Sequence, residues 1–482
     1  MIALGLKEIG DVVGGRLVPP STAAYTPTVD GPVVTDSREA AMGSLYVARV
    51  GESADGHEFV PAAVAAGAVA SVVSRELDRA GSAGSWQVVV DDVEKALGLL
   101  ARHVVDRRGD GLTVVAVTGS SGKTSTKDLL AGLLAEAGPT IAARESYNSE
   151  VGVPLTVLRV TDETRYLVVE MGARGPGHVR HLTTIAPPDV AVVLNVGHAH
   201  ASEFGGLDAV EAAKGELVEA LAEKGTAVLN ADDDRVARMA SRAAGDVVLV
   251  GTSAGAEVRA EDVTLDDEGR AAFTLETAQG SAQVRLQLHG EHHVGNALSA
   301  AAVGLRLGMR IDVVAAALSA AVPASRWRME VVDRPDGVRV VNDAYNANPD
   351  SVRAALEALA SMGRGGARRT WAVLGEMLEL GDGSTEQHDA VGRLAVRLNI
   401  SRLVAVGPGA RPVHTGACHE GSVSGKSGGE ESAYVPDVEA AFALLSEELR
   451  AGDVVLFKSS RDSGLRWLGE RVAAGGDTGA DR

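Results

Sequence analysis

The chain has 482 residues, 45% of them apolar and 23% charged, with 46 Lys and Arg against 65 Asp and Glu for a net charge of −19. Such a length is read as about three domains. The acidic balance argues against nucleic acid or a membrane surface as the main partner, while leaving room for a local cationic pocket. The single cysteine, Cys418, excludes an intrachain disulfide and a cysteine-based metal cluster, which suits a reducing cytoplasm. Lys7, Glu8 and Asp11 with no long apolar run behind them are unlike a signal peptide, and no apolar stretch is long enough to span a bilayer. A cytoplasmic location is expected.

Residues 1–110 alternate short apolar runs, at 44–50, 68–74 and 87–90, with Ala-rich helical stretches, the pattern of a small α/β domain. Polar residues 106–111 then precede an apolar run at 112–118. From there strands are predicted at 112–118, 166–170, 190–196 and 226–230. A helix at 124–137 carries Leu129, Leu130, Leu133 and Leu134 on one face. Continuous Val/Leu runs between helices predict a parallel sheet covered on both faces. Alternation over 256–288 predicts an antiparallel appendage, ahead of an Ala-rich helix at 293–307. Beyond a loop at Pro323, the runs 337–342, 369–374, 402–407 and 453–458 read as strands of a further α/β unit. The Gly/Ser/Glu-rich stretch 421–432 reads as a surface loop and 475–482 as a frayed tail. The expected architecture is α/β in three domains: a small N-terminal α/β domain at 1–110, a central P-loop parallel-sheet ATPase-like domain at 111–323, and a C-terminal Rossmann-like α/β domain at 324–482.

The strongest motif follows the 112–118 run: Gly119, Ser120, Ser121, Gly122, Lys123, Thr124 and Ser125. Glycines let backbone N–H groups curl around phosphate oxygens, and a helix N-terminus adds a favourable dipole. Lys123 can reach the β- and γ-phosphates, and the Thr124 hydroxyl suits Mg²⁺. Val117 stands where the general phosphate loop has its first glycine. Ligands of parallel sheets gather beyond the carboxyl ends of strands. There Glu170 closes one strand, and His198 and His200 follow another. Lys214 lies beside the apolar stripe of Val210, Ala213, Leu217 and Leu221, and spacing alone makes it a snorkelling surface group.

Further segments carry a resemblance. They are Thr-Asp-Ser-Arg at 35–38, Gly-Ser-Leu-Tyr-Val-Ala at 43–48, Asp-Gly-His-Glu-Phe at 55–59 and Tyr-Asn-Ser-Glu-Val-Gly-Val-Pro at 147–154. Gly-Glu-His-His-Val-Gly-Asn at 290–296, Asn-Asp-Ala-Tyr-Asn-Ala-Asn-Pro-Asp-Ser at 342–351, 372–381 and Leu-Phe-Lys-Ser-Ser-Arg at 456–461 complete the set. With these the chain resembles the Mur ligase family over nearly its whole length, and within it the branch that adds D-alanyl-D-alanine. Its phosphate loop is similar to the family's shortened form, which explains Val117. Ser149 stands where the family often has Asn, Trp327 and Ser459 where Gly is common, and Glu376 where Asp is common.

The resemblance implies an ATP-dependent ligase that activates a carboxylate as an acyl phosphate for attack by an amine. Its substrates would be UDP-N-acetylmuramoyl-tripeptide and D-alanyl-D-alanine, and its setting peptidoglycan synthesis, with the chain acting as a monomer. A Mur-type ligase adding a different amino acid is the alternative. ATP and two Mg²⁺ ions are implied. Lys123, Glu170, His200 and Lys214 would serve catalysis, with Thr124, Glu170, His200 and a carbamylated Lys214 as metal ligands. His292, Asn296, Arg328 and Asp343 would join the phosphate loop in holding ATP. Ser37, Arg38, Asn148 and Ser149 would contact the UDP-sugar peptide, and Asn346, Asn348 and Arg461 the dipeptide. From residue type alone, Asn346 and Asn348 are turn formers and Arg461 is surface charge. ATP contacts from two domains imply closure around the ligand.

Overall fold

The computed structural model describes residues 1–21, 25–51, 53–197, 205–363, 368–421, 424–425 and 429–475. Three main sheets organise them. The first has the order Arg16–Val18, Trp86–Val89, Ala70–Val73, Leu45–Val47, Val33–Val34, parallel except for the Arg16–Val18 edge. Its three inner strands lie, to within a residue, inside the apolar runs that the sequence displays. The edge strands have two or three residues, too few for a period to register.

The second sheet has nine strands: Gly280–His289, Arg270–Thr277, Val258–Leu265, Asp246–Gly251, Thr226–Asn230, Val190–Val193, Thr113–Thr118, Tyr166–Glu170, Thr140–Ala142. Thr113–Thr118 lies between Val190–Val193 and Tyr166–Glu170, so connections leave it to both sides and open a crevice at its carboxyl end. Val258–Leu265 pairs in parallel with Asp246–Gly251, and the last two strands add antiparallel hairpins. The alternating segment is therefore an extension of the sheet, where an appendage was expected. Its exposed outer face gives the alternation, while backbone pairing at Val250↔Val258 makes it continuous.

The third sheet runs Glu330–Asp333, Arg339–Asn342, Val454–Lys458, Thr370–Leu374, Arg402–Val406, Ser432–Val435, antiparallel only in its first pair. Ser432 thus begins an edge strand, where a loop was expected through that residue. The preceding Gly- and Ser-rich run also contains a short hairpin, Ser424–Gly425 with Gly429–Glu430. No helix among the described residues is long and apolar enough to cross a membrane.

The joints between sheets differ in character. One apolar core joins Leu4, Leu97 and Leu100 of the N-terminal part to Val114, Leu167 and Val169 of the second sheet. The helix Val93–Arg108 makes this joint, packing on Gly152–Val157. Asp92 caps its start by accepting from the backbone of Glu94 and Lys95 at 2.9 and 3.0 Å, a contribution of about 1 kcal/mol. Fully burying one such leucine is worth roughly 1.5–3 kcal/mol, so this joint is firm. The third sheet has cores of its own, and charged and polar pairs supply much of its contact with the second. Glu268 pairs with Arg339 and lies 3.8 Å from Arg368, and Asn348 reaches Ser120. A joint of that kind can open.

Candidate active site

Thr113–Thr118 is almost wholly buried because Val and Ala fill both faces of an inner strand. The chain then turns through Gly119–Gly122 into the helix Lys123–Ala135. Gly122 has φ +80°, and a Cβ there would stand 2.6 Å from Asn296 Oδ1. Only glycine permits both the turn and the approach of Asn296. No side chain caps this helix, so its first N–H groups are left for a ligand in the cleft. Asn195, just beyond the neighbouring strand, accepts from Ser121 N–H at 2.9 Å and holds the turn open.

Lys123 Nζ donates to Gly119 O at 2.7 Å. Burial pulls its pKa below the ordinary lysine range; Glu170 opposes that shift and Arg328 adds to it. Thr124 Oγ1 donates to Glu170 Oε2 at 2.9 Å, and Asn148 Nδ2 donates to Glu170 Oε1 at 2.8 Å. Arg328, arriving from the third domain, donates to Thr124 Oγ1 at 3.2 Å and to Ser146 Oγ at 2.8 Å.

Lys214 overturns the reading from spacing. It is 5% exposed on the helix Leu207–Glu219 and lines the same cleft as Lys123. Burial first, and then repulsion from Lys123, hold its pKa well below the usual lysine value. The apolar stripe was read correctly, but the neighbouring face is covered too, because the helix is enclosed on more than one side. Burial of this kind disfavours the charged form of the amine.

From the third domain, Lys458 Nζ pairs with Asp343 Oδ2 at 2.6 Å and donates to Asn346 O at 2.9 Å. Asp343 Oδ1 accepts from Met329 N–H at 3.1 Å, fixing the segment that carries Arg328. Asn348 caps the helix Pro349–Met362, its Oδ1 accepting from Ser351 N–H at 2.8 Å, and its Nδ2 reaches Ser120 O at 3.5 Å. The turn former and the interdomain contact are thus one residue. Tyr345 has the Arg328 guanidinium over its ring at 4.4 Å and that of Arg461 at 5.8 Å.

All these groups line one cleft of about 490 Å³ between the second and third sheets. Of the residues picked from sequence, it gathers Gly119 to Ser125, Asn148, Ser149, Glu170, Lys214, His292, Asn296, Arg328, Asp343, Asn346, Asn348 and Arg461. Ser37 and Arg38 do not line it; Arg38 is turned to solvent and pairs with Asp36 at 2.6 Å. His198 and His200 lie outside the described residues. Sequence reasoning passed over Lys458, Tyr345, Ser146 and Asn195 as site residues. Lys458 and Asn195 stand at or just beyond the carboxyl ends of strands, the same signal that singled out Glu170.

Among the described residues no three His, Cys, Asp or Glu side chains group as a metal cage. The Thr124 hydroxyl and Glu170 carboxylate are hard oxygen donors of the kind Mg²⁺ takes. That ion commonly completes its octahedron with water and phosphate oxygens. The donor set fits such an ion.

A phosphate-cradling loop on one domain, faced across a cleft by cations of another, defines a nucleotide-dependent enzyme that works between domains. Comparison with known proteins specifies the kind. Family models match at residues 32–104 (Mur ligase family, catalytic domain), 117–304 (Mur ligase middle domain) and 327–461 (Mur ligase, glutamate ligase domain). The UDP-N-acetylmuramoyl-tripeptide–D-alanyl-D-alanine ligase of Mycobacterium leprae is 44% identical, the match covering 99% of each chain. A crystal structure of MurF from Acinetobacter baumannii is 31% identical with a TM-score of 0.84, over 98% of this chain and 99% of that one. The structure of MurF ligase from Thermotoga maritima in complex with ADP is 29% identical with a TM-score of 0.76, over 92% and 98%. The chain belongs to the Mur ligase family, ATP-dependent ligases that join an acid to an amine.

Proposed function

We propose that this enzyme uses ATP to join D-alanyl-D-alanine to UDP-N-acetylmuramoyl-tripeptide through an acyl phosphate, in the synthesis of the peptidoglycan precursor. Relatives named for that activity align along nearly the whole chain. The observation that carries the chemistry is the meeting of Lys123, Thr124 and Glu170 at one sheet edge with Arg328 of the third domain. In this reading residues 1–110 bind the UDP-sugar through Ser37 and Arg38, 111–323 bind ATP, and 324–482 bring the amine. The chain works as a monomer in the cytoplasm.

A free carboxylate does not condense with an amine in water, so it must first be activated. A carboxylate oxygen of the tripeptide attacks the γ-phosphorus, the bond from that phosphorus to ADP breaks, and an acyl phosphate forms. The amine of the dipeptide then adds to the carbonyl carbon, gives up its proton, and inorganic phosphate departs. Lys123 and the N–H groups of the turn hold the phosphates, so the rate gain comes from positioning and charge neutralisation. His292, Asn296, Arg328 and Asp343 hold the nucleotide. Asn148 and Ser149 place the peptide, and Asn346, Asn348 and Arg461 the incoming dipeptide.

Magnesium, when bound, neutralises charge between phosphate and carboxylate oxygens. Two ions are expected. Thr124 and Glu170 would hold one, and His200 with Lys214 the other. A neutral lysine amine can add to carbon dioxide and lose a proton, giving a carbamate with oxygen donors; the lowered pKa of Lys214 favours that modification. The polar joint to the third domain lets the cleft open for substrates and close to keep water from the acyl phosphate.

The test is phosphate release from ATP with UDP-muramoyl-tripeptide, with and without D-alanyl-D-alanine, against a panel of other amines. Sustained release with the dipeptide alone among the amines is the expected result. Release supported by another amino acid and not by the dipeptide would refute the substrate assignment.

A further inference from the structure

The backbone before Arg328 carries a cost that the nucleotide site alone does not explain. Trp327 has φ +57°, a conformation that glycine takes without strain and a bulky residue does not. The residue is nonetheless buried, 9% exposed, so its contacts must offset that cost. The indole Nε1–H donates at 2.8 Å to Glu470 Oε1, on the last helix, Leu465–Ala473. The ring stacks on Tyr345, with centroids 6.3 Å apart and planes 24° from parallel, and meets Trp467 edge-on at 5.2 Å. The guanidinium groups of Arg326 and Arg466 lie over it at 4.8 and 5.5 Å. The main chain is held as well. Trp327 N–H donates to Glu330 Oε2 at 3.0 Å, and the Trp327 carbonyl accepts from Tyr345 N–H at 3.3 Å.

The ring does not serve as a platform for a ligand. The cavity it shares with Thr124, Ser146, Arg328 and Tyr345 is about 10 Å³, room for one water at most. Trp327 and Glu470 are not among the described residues that line the main cleft. What the ring supports is Tyr345, which also has the Arg328 guanidinium over it at 4.4 Å. Contacts therefore run from Glu470 through Trp327 and Tyr345 to the arginine that bridges Thr124 and Ser146. We infer that Trp327 is a positioning residue: anchored on the last helix, it fixes the turn so that Arg328 faces the phosphate loop. An unanchored arginine samples other rotamers, and nucleotide affinity falls by the fraction of molecules in which it points elsewhere. The inference rests on the nucleotide-holding role of Arg328 and goes past it to what sets that side chain.

The experiment measures KM for ATP and kcat by phosphate release in the full chain, and the Kd of a non-hydrolysable ATP analogue by calorimetry. The second reading needs no ligation, so a wrong substrate assignment leaves the test intact. Trp327→Gly removes the ring and keeps a residue suited to the turn. KM and Kd are each expected to rise about threefold or more, and by no more than Arg328→Ala raises them, with kcat at saturating ATP unchanged. Trp327→Phe keeps a ring against Tyr345 and loses the bond to Glu470, and it recovers part of the loss. In an Arg328→Ala background Trp327→Gly adds nothing, because its effect passes through that side chain. Equal rises in both backgrounds overturn the inference, as does a Trp327→Gly enzyme with unaltered KM and Kd. Should the glycine variant not fold, Glu470→Met decides. It removes the acceptor outside the cleft, is expected to weaken the nucleotide, and overturns the inference if the affinity stays unaltered. If Arg328→Ala itself leaves both constants unmoved, the nucleotide role of Arg328 falls and the inference with it.

Discussion

Arg328 of the third domain donates to the hydroxyl of Thr124 at 3.2 Å, next in sequence to the phosphate-loop lysine. The same guanidinium reaches Ser146 at 2.8 Å and lies over the ring of Tyr345. One side chain thus ties the third domain to the loop that takes the nucleotide, so closing the cleft and completing the phosphate site become one event. Its neighbours Trp327 and Met329 have φ of +57° and +51°, which marks a backbone held in a costly conformation around it.

Arg328→Ala should raise KM for ATP about tenfold or more, as expected for loss of a charge-assisted contact. Arg328→Lys should recover only part of the loss, because an ammonium can reach the two hydroxyls but lacks the planar guanidinium that lies over the Tyr345 ring. Initial rates of phosphate release at varied ATP check this.

Glu170 accepts from both Thr124 and Asn148. Glu170→Gln keeps the size and an acceptor oxygen and removes the charge. Activity should fall about a hundredfold or more, because the amide is a much poorer ligand for the magnesium ion that Glu170 would hold with Thr124. The melting temperature should move little, since the shape is preserved. A large drop in melting temperature with a matching loss of activity would instead mark Glu170 as a fold residue.

Lys214 couples stability to pH in a definite direction. Its folded pKa is depressed by burial, so between that value and the ordinary lysine pKa the unfolded chain binds a proton the folded chain does not. Stability then rises with pH across that window, and the cost of burying the amine is largest at the acidic side. In buffer free of carbon dioxide, Lys214→Met should melt higher than the unchanged protein at neutral pH, with the gap closing toward the ordinary lysine pKa. The same variant should be inactive. Differential scanning calorimetry across pH, with parallel assays, checks both parts.

The fold was legible where burial imposes one residue type on a long run. Thr113–Thr118 and Tyr166–Glu170 are inner parallel strands, and their unbroken Val and Leu runs announce it. Val33–Val34 and Thr28–Val29 were silent because two residues hold no period. In the site, the Gly119–Lys123 turn shows itself in sequence since both its glycines are needed by the backbone. Lys214 did not, because enclosure by elements distant in sequence leaves no trace in the spacing of its own helix. Lys458 carries a signal in its place at the end of a strand, but its pairing with Asp343, 115 residues earlier, is not legible in the sequence.

Far from the reacting atoms, Glu268 sits in the turn between two hairpin strands and pairs with Arg339, with Arg368 at 3.8 Å. Glu268→Lys should set three cations against one another across the joint and favour the open form. The radius of gyration of the free enzyme should increase and KM for ATP rise several-fold, the reduction expected when the competent state is less populated. Saturating a non-hydrolysable ATP analogue together with the UDP-sugar peptide should restore the compact radius. Small-angle scattering with and without those ligands decides it.

The central claim is that the carboxylate itself is phosphorylated in this cleft, and the path of one oxygen atom tests it most directly. UDP-muramoyl-tripeptide labelled with ¹⁸O in its terminal carboxylate, ligated with ATP and D-alanyl-D-alanine, should release inorganic phosphate that carries one labelled oxygen in each molecule formed from doubly labelled acid. Phosphate free of label, with the amide product formed, would contradict the account.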